Sequence, residues 1–347
     1  MELPDHYHPD HASDWEYSPH PRAIFEAARS YRRHHGIAPA VADGFTVEVV
    51  AVDMQKDFCF PQGSLYVGGR SGTGALDDNG RIASLIYRNL PHITAITPTM
   101  DTHYPIQIFF ASFWLDESGE PVRPHTEISL ASVESGEFRP DPDVVGVLGL
   151  PDYDWLVNQC KHYCAELEKA GKYKLYIWPE HCLIGGAGHM LTGVFQEARL
   201  FHAYARESQT EVEIKGSHPL TENYSVFNPE VLTRWDDKGL LAEKRTGFID
   251  RLLTRDAVVF VGQAGSHCVR SSIDDFLSEI RVRDERLAEK CYVVTDCMSA
   301  VTVADGKGGF VADFTPFMVE AFERFAASGV RLVESTTDMR DWQGMRL

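Results

Sequence analysis

The chain has 347 residues, enough for one large domain or two modest ones, and its apolar fraction is ordinary for a globular protein. Its formal net charge of −18 excludes nucleic acid and anionic membrane surfaces as main partners, because both repel an acidic protein. No apolar run approaches the roughly 18 residues of a membrane span, and no secretory signal is visible. Seven irregularly spaced cysteines indicate reduced thiols, so we expect a cytoplasmic protein.

Residues 1–44 are rich in His, Pro, Asp and Tyr, and they contain one predicted helix over residues 21–35. We interpret this segment as an N-terminal extension that wraps a core or contacts a partner. Its histidines lack the spacing of metal ligands, so solvated polar side chains are the simpler interpretation.

From residue 45 onward, apolar runs alternate with amphipathic stretches, which is typical of strands that alternate with helices. The predicted strands span residues 45–54, 93–100, 174–178, 211–214, 257–261 and 291–295, and a short run at 331–333 could add a last one. The predicted helices span residues 79–89, 154–170, 190–205, 248–253, 267–280 and 313–327. This order predicts a Rossmann-like, three-layer α/β/α fold with a mainly parallel six-stranded sheet, in which function gathers at the carboxyl ends of the strands.

The segment between the second and third predicted strands, residues 109–152, is too long for a plain connection and is rich in Pro, Gly, Ser and Glu. We predict an insertion here that acts as a lid or an oligomer contact. One domain is therefore predicted over residues 45–335, followed by a C-terminal tail at residues 336–347. We expect a homo-oligomer.

The fifth predicted strand leads into a small-residue turn, residues 262–266, and then into a helix that begins near His267. Cys268 lies at the start of that helix, where unpaired backbone N–H groups and the positive end of the helix dipole favour a thiolate. This position suits a nucleophile, but a buried helix-start cysteine would look the same.

Two charged residues at other strand ends could serve such a nucleophile. The first strand ends at Asp53, and a carboxylate there is costly unless it is paired or used, although it could simply cap a loop. Lys215 follows the fourth strand. It is either solvated or a cation that lowers the pKa of the Cys268 thiol and orients Asp53.

A second set of polar residues has the composition of a metal site. Asp101 and His103 follow the second strand and project to the same side if the chain stays extended. His181 follows the third strand, just after Trp178, which offers a flat apolar wall. Asp101, His103 and His181 suit zinc, manganese or iron with open positions left for water or substrate, although an isolated Asp-x-His is also common in exposed turns.

Taken together, these motifs resemble those of the cysteine hydrolases of the nicotinamidase and isochorismatase superfamily. The matching segments, in the order of the family, are residues 52–58, 63–69, 101–103, 178–182, 215–216, 224–227 and 261–269. The Asp-x-His pair favours the metal-containing amidase branch. Two positions depart from the pattern: Gln107 stands where a further His is frequent, and Ser266 where an acidic residue is frequent.

The resemblance implies a Cys268–Asp53–Lys215 triad, in which Asp53 accepts the thiol proton and Cys268 attacks an amide carbonyl. It also implies a cis peptide bond between Gln263 and Ala264, which would aim the N–H groups of Ala264 and Cys268 at the developing oxyanion.

For the substrate, the resemblance implies a divalent metal, zinc before manganese or iron, on Asp101, His103 and His181. A flat ring would lie between Phe58 and Trp178. Gln55 and Tyr224 are further candidates for substrate binding. The leading substrate is nicotinamide, which would give nicotinate and ammonia. The alternatives are another small amide (ureido, carbamoyl or heteroaromatic) and a non-catalytic binding or scaffold protein that kept the fold.

Overall fold

The structure is a computed structural model that describes residues 1–171, 174–209 and 211–347. Its helices are α1 Pro21–His35, α2 Lys56–Cys59, α3 Gly74–Arg88, α4 Leu130–Ser135, α5 Asp143–Leu148, α6 Tyr153–Ala170, α7 Gly193–Arg206, α8 Thr246–Leu253, α9 Cys268–Arg283 and α10 Thr315–Ala327. Its strands are β1 Val47–Val52, β2 Ala95–Asp101, β3 Trp114–Asp116, β4 Glu127–Ile128, β5 Phe138–Pro140, β6 Leu175–Tyr176, β7 Glu213–Lys215, β8 Ala257–Gly262, β9 Cys291–Val294, β10 Thr302–Ala304, β11 Phe310–Asp313 and β12 Arg331–Val333. The predicted helices are all present, with ends displaced by a few residues.

Six strands form the central sheet in the order β12-β9-β8-β1-β2-β7, and every neighbouring pair is parallel. β1 and β8 are buried along their whole length, which explains why both read as nearly unbroken apolar runs. Helices flank this sheet, so the predicted α/β fold is confirmed. Because all six strands run in the same direction, their carboxyl ends meet at one edge, where the polar residues of the sequence analysis are gathered.

The assignment of residues 174–178 to this sheet is wrong. Only Leu175–Tyr176 is a strand, and it pairs antiparallel with β4 from the insertion. The sixth strand of the sheet is β12, which the sequence suggested only as an addition. An apolar extended run predicts a strand but does not say which strand it pairs with. As a result β7 lies directly beside β2, in a register that places Lys215 next to Asp101.

The N-terminal extension packs on the outer helices of the core. Ile24 of α1 is buried, and the Tyr7 hydroxyl lies 3.2 Å from Ser84 Oγ on α3. On α7, Arg206 Nη2 pairs with Asp43 Oδ1 at 2.5 Å. The extension therefore wraps the core, as one of the two interpretations expected.

The insertion, residues 109–152, has secondary structure of its own. β3 pairs antiparallel with β5, α4 lies between these two strands in the chain, and α5 comes after β5. Phe113 and Trp114 are fully buried within it. The Trp178 N–H donates to Phe109 O at 2.8 Å, so the start of the insertion supports the segment that carries Trp178. Among the described residues, no helix combines the length and the apolar character needed to cross a membrane.

Candidate active site

Asp53, Lys215 and Cys268 meet at the carboxyl edge of the sheet. Asp53 follows β1, Lys215 ends β7, and Cys268 is the first residue of α9. Lys215 Nζ lies 2.9 Å from Asp53 Oδ2 and 3.7 Å from Cys268 Sγ. All three side chains are buried. The ammonium thus contacts both the proposed base and the proposed nucleophile.

Asp53 is held by its neighbour on β2. Its N–H donates to Thr99 Oγ1 at 3.0 Å, and the Thr99 hydroxyl donates to Asp53 Oδ1 at 2.5 Å. Its φ of 46° lies in the left-handed region, which is uncommon for a residue with a side chain. Such backbone conformations concentrate at functional sites.

Burial sets the proton affinities of the three groups. Burial raises the pKa of the Cys268 thiol well above its ordinary value, and the Lys215 charge only partly opposes this. Lys215 therefore lowers the pKa of the Cys268 thiol, as the sequence analysis expected, but burial outweighs this effect. Burial likewise raises the pKa of Asp53, which makes its carboxylate a better proton acceptor.

Lys215 itself remains a cation. Burial alone would lower its pKa, but the carboxylates of Asp101 and Asp53 raise it well above its ordinary value. Its Nζ lies 3.0 Å from Asp101 Oδ1 and donates to Asn223 O at 2.9 Å. One ammonium therefore serves two carboxylates and lies beside the thiol.

Asp101, His103 and His181 also converge, with their ligand atoms all within 4.8 Å of one another. Asp101 Oδ2 is 3.0 Å from His103 Nε2 and 3.7 Å from His181 Nε2. Each imidazole places its Nδ1 on a backbone carbonyl: His103 on Gly216 O at 2.9 Å, and His181 on Pro179 O at 2.8 Å. Since a carbonyl only accepts, each ring carries a hydrogen on Nδ1, which leaves Nε2 as the candidate ligand atom, and this arrangement fits a divalent metal.

Gly216 is required by this arrangement. Its φ is +83°, and a Cβ there would lie 2.5 Å from Asp101 Oδ1 and 2.5 Å from His103 Cε1. The backbone after Lys215 can approach the candidate metal ligands Asp101 and His103 only because Gly216 has no side chain. Gln107 Nε2 donates to the same Gly216 oxygen at 3.0 Å. The residue that replaces the family's frequent His therefore lies beside His103.

A cavity opens on this cluster. Cys268, Asp101 and His181 reach it, and the predicted substrate contacts Phe58, Trp178 and Tyr224 line it. No residue of the insertion is in that lining, so the described structure does not place the insertion as a lid over the cavity. The candidate nucleophile Cys268 and two of the candidate metal ligands therefore face the same cavity.

Gln55 lies elsewhere than the sequence analysis placed it. Its amide Nε2 donates to Asp101 O at 2.8 Å and to His189 O at 2.9 Å, and its Oε1 accepts from the Asp101 N–H at 2.7 Å. The side chain is fully buried and is absent from the cavity lining. Gln55 therefore holds the backbone of Asp101, a candidate metal ligand.

The peptide bond between Gln263 and Ala264 is cis, as the family resemblance implied. Ala264 lines the cavity next to Cys268. Among the described residues, neither the Ala264 N–H nor the Cys268 N–H has a hydrogen-bond acceptor. Two backbone donors are thus available beside the thiol.

The sequence analysis missed two polar residues that line the cavity. Glu222 is only 4% exposed, and its Oε1 accepts from the Asn223 N–H at 2.9 Å. Burial, together with the Asp101 charge, raises the pKa of Glu222 well above its ordinary value. His267 has its pKa lowered to about 3 by burial, so it is a neutral ring beside Trp178. Glu222 lies two residues before the Tyr224 motif, but nothing in that spacing distinguishes it from a surface Glu.

No family model and no curated protein matches this chain. Among solved structures, the yeast nicotinamidase Pnc1p has a TM-score of 0.50 and 18% identity, over 83% of this chain and 100% of that one. The same yeast protein bound to the inhibitor nicotinaldehyde gives 0.50 and 17%, over the same shares. The Acinetobacter baumanii nicotinamidase pyrazinamidease gives 0.48 and 18%, over 84% and 97%. At these identities the two yeast structures show a shared fold.

Proposed function

We propose that the protein is a cysteine amidohydrolase that cleaves a small amide through a thioester. The observation that carries this proposal is the single ammonium of Lys215, which lies 2.9 Å from Asp53 Oδ2 and 3.7 Å from Cys268 Sγ at the wall of a cavity. A buried acid, thiol and cation in that arrangement match a nucleophile with its base and a stabilising charge.

The reaction follows from these positions. Asp53 takes the thiol proton while Lys215 stabilises the thiolate, which attacks the amide carbonyl carbon. The N–H groups of Ala264 and Cys268 donate to the resulting oxyanion. Asp53 then passes its proton to the amide nitrogen, the C–N bond breaks, and ammonia leaves.

The second half reaction uses the same base. Asp53 takes a proton from water, the hydroxide attacks the thioester carbonyl, and the C–S bond breaks. The proton returns to the sulfur of Cys268, and the carboxylic acid is released. One amide and one water are consumed, and one acid and one ammonia are formed.

Asp101, His103 and His181 would hold a divalent metal, with zinc as the leading choice. When bound, the ion supplies a Lewis-acidic anchor for a ring nitrogen or another polar group of the substrate. Gln55 and Gly216 keep two of the ligands in place through the Asp101 backbone and the His103 ring, and Pro179 O holds the His181 ring.

Nicotinamide is the proposed substrate, and it would yield nicotinate. Phe58 and Trp178 offer apolar surface for its ring, and the yeast neighbour of the same fold binds the inhibitor nicotinaldehyde. A different small amide, of the ureido, carbamoyl or heteroaromatic kind, is the second choice because His267 and Glu222 add polar groups to the cavity.

An ammonia-release screen against a panel of small amides, nicotinamide included, tests this function. We expect release with the wild type and none with Cys268→Ala. Cys291→Ala, which removes another buried thiol on β9, is the matched control and should retain activity. If no amide is hydrolysed, and iodoacetamide labels Cys268 no faster than the other cysteines, the protein is a non-catalytic binding or scaffold protein.

Metal content is measured separately, by elemental analysis of the purified protein. We expect a bound divalent ion that Asp101→Asn loses, because this substitution removes the only carboxylate among the three candidate ligands. An Asp101→Asn protein that keeps the same metal content would contradict the proposed ligand set.

A further inference from the structure

Asp78 on α3 is a buried carboxylate that the proposed mechanism does not use. Its side chain is 1% exposed. Its Oδ2 accepts from Gln263 Nε2 at 2.8 Å and from the Ser299 hydroxyl at 2.7 Å. The Arg81 guanidinium lies 3.3 Å from its other oxygen. A buried carboxylate with two neutral donors on one oxygen orients those donors strongly, because hydrogen bonds to a charged acceptor are the stronger kind.

The two donors of Asp78 also contact each other. The Ser299 N–H donates to Gln263 Oε1 at 3.2 Å, which closes a triangle between Asp78, Gln263 and Ser299. α3 approaches this triangle closely: a Cβ at Gly74 would lie 2.4 Å from Ser299 Oγ. The Gln263 amide therefore has both its oxygen and its nitrogen held.

This triangle fastens the turn on both sides of Ala264. Gln263 precedes Ala264, and its side chain ends at Asp78. Gly265 follows Ala264, and its N–H donates to Ser299 O at 2.8 Å, so it reaches Asp78 through Ser299. The Ala264 N–H lies between two residues that α3 holds in place.

We propose that Asp78 is a positioning residue that aims the Ala264 N–H at the oxyanion through Gln263 and Ser299. This inference rests on the proposed function, because the oxyanion forms only if Cys268 attacks an amide. Asp78 touches neither substrate nor thiol, and it acts through the hydrogen bonds of the turn.

The test compares Asp78→Leu, Asp78→Asn and the matched control Asp77→Leu. Asp77 is an exposed neighbour on the same helix whose carboxylate accepts from the Thr73 hydroxyl. Leu keeps the branched shape of Asp78 but accepts no hydrogen bond. Asn keeps an oxygen that can accept from both Gln263 and Ser299.

For Asp78→Leu we expect kcat to fall about 10- to 100-fold with KM within about threefold, because the misplaced Ala264 N–H is needed only in the transition state. Inhibition by nicotinaldehyde should weaken by the same factor, since its thiohemiacetal needs the same donor. The rate of Cys268 alkylation by iodoacetamide should not change. Asp78→Asn should restore most of kcat, and Asp77→Leu should match the wild type.

A second variant guards against misfolding of Asp78→Leu. Gln263→Met removes the same hydrogen bond from the other side and should lower kcat by a similar factor. The double variant should have a kcat no lower than that of either single variant, because both substitutions remove the same Asp78–Gln263 hydrogen bond. Unchanged kcat in both single variants, additive losses, or an equal fall in alkylation rate would each overturn the positioning role. A wild type that hydrolyses no amide would instead refute the proposed function.

Discussion

β1 carries two buried carboxylates near its two ends, and their surroundings differ. Near the start of the strand, Glu48 Oε1 accepts from the Thr97 hydroxyl at 2.8 Å, and Oε2 accepts from Arg255 Nε at 2.8 Å. Arg251 Nη2 adds a second guanidinium at 3.4 Å. Just after the end of the strand, Asp53 has one cation, Lys215, and shares it.

The difference lies in the balance of charge. At the amino end, Arg251 also contacts Glu211 and Glu213, and Arg245 adds a further cation beside Glu213. Three carboxylates thus face three guanidinium groups there, so the burial of Glu48 is compensated. At the carboxyl end, Asp53, Asp101 and Glu222 all surround or approach one ammonium. Under-compensated carboxylates have raised proton affinity and attract a divalent cation, which are the properties of a catalytic site. The comparison teaches that compensation, more than burial, separates a structural acid from a reactive one.

The largest effect is expected for Asp53→Asn, which should lower kcat/KM about 10⁴-fold because the thiol loses its base. Its thermal midpoint should stay close to that of the wild type, since an under-compensated charge is removed. Ammonia release and thermal unfolding measure the two quantities. An Asp53→Asn enzyme that retains a tenth or so of the activity would remove Asp53 from the mechanism.

The same substitution at the other end, Glu48→Gln, should have the opposite profile. It removes the carboxylate of Arg255, whereas Arg251 keeps Glu211 and Glu213, and we expect the free energy of unfolding to fall by about 3 kcal/mol. Both guanidinium groups are 24% exposed, so water limits the loss to the low end of that range. Urea denaturation measures it. Unchanged stability, or a large loss of kcat, would contradict the comparison.

A smaller effect, of opposite sign, is expected for Glu222→Gln in chelator-treated protein. The unfolded chain ionises Glu222 near its ordinary pKa of 4.5, whereas burial raises the pKa in the folded protein. The folded state therefore binds more protons above pH 4.5, and this contribution to stability is lost as the pH rises through the raised pKa. Glutamine has no proton to lose, so the variant should gain about 1 kcal/mol over the wild type between pH 4.5 and 8.

Urea denaturation at both pH values measures this gain. Asp77→Asn, an exposed acid on α3, serves as the control and should show no comparable pH dependence. A Glu222→Gln protein that is less stable than the wild type at pH 8 would show that Glu222 is as well compensated as Glu48.

Sequence alone determined the features that depend on local order. Apolar runs that alternate with amphipathic stretches predicted the parallel sheet, and the polar residues that follow those runs predicted Asp53, Lys215 and Cys268 as neighbours. This inference succeeds because parallel strands bring their carboxyl ends to one edge whatever their order. The same reasoning located Asp101 and His103, whereas His181 follows β6, which lies outside this sheet.

Tertiary structure decided everything that depends on which distant residues meet. β6 has an apolar run like the sheet strands, yet its partner is the insertion strand β4. The acidic residue Asp78 contacts Gln263, 185 positions later in the chain, and no local pattern connects the two. The Gln55 side chain binds the Asp101 backbone and does not line the cavity, and no local pattern predicts this contact either.

The proton affinity of Cys268 marks this boundary most clearly. Its position at a helix start is local and favours a thiolate, whereas its burial comes from the whole fold and favours the thiol. Burial prevails because the free-energy cost of desolvating the thiolate exceeds the stabilisation that the helix dipole and the shared Lys215 ammonium provide. The sequence thus named the candidate nucleophile, and the packing around it sets the proton affinity of its thiol.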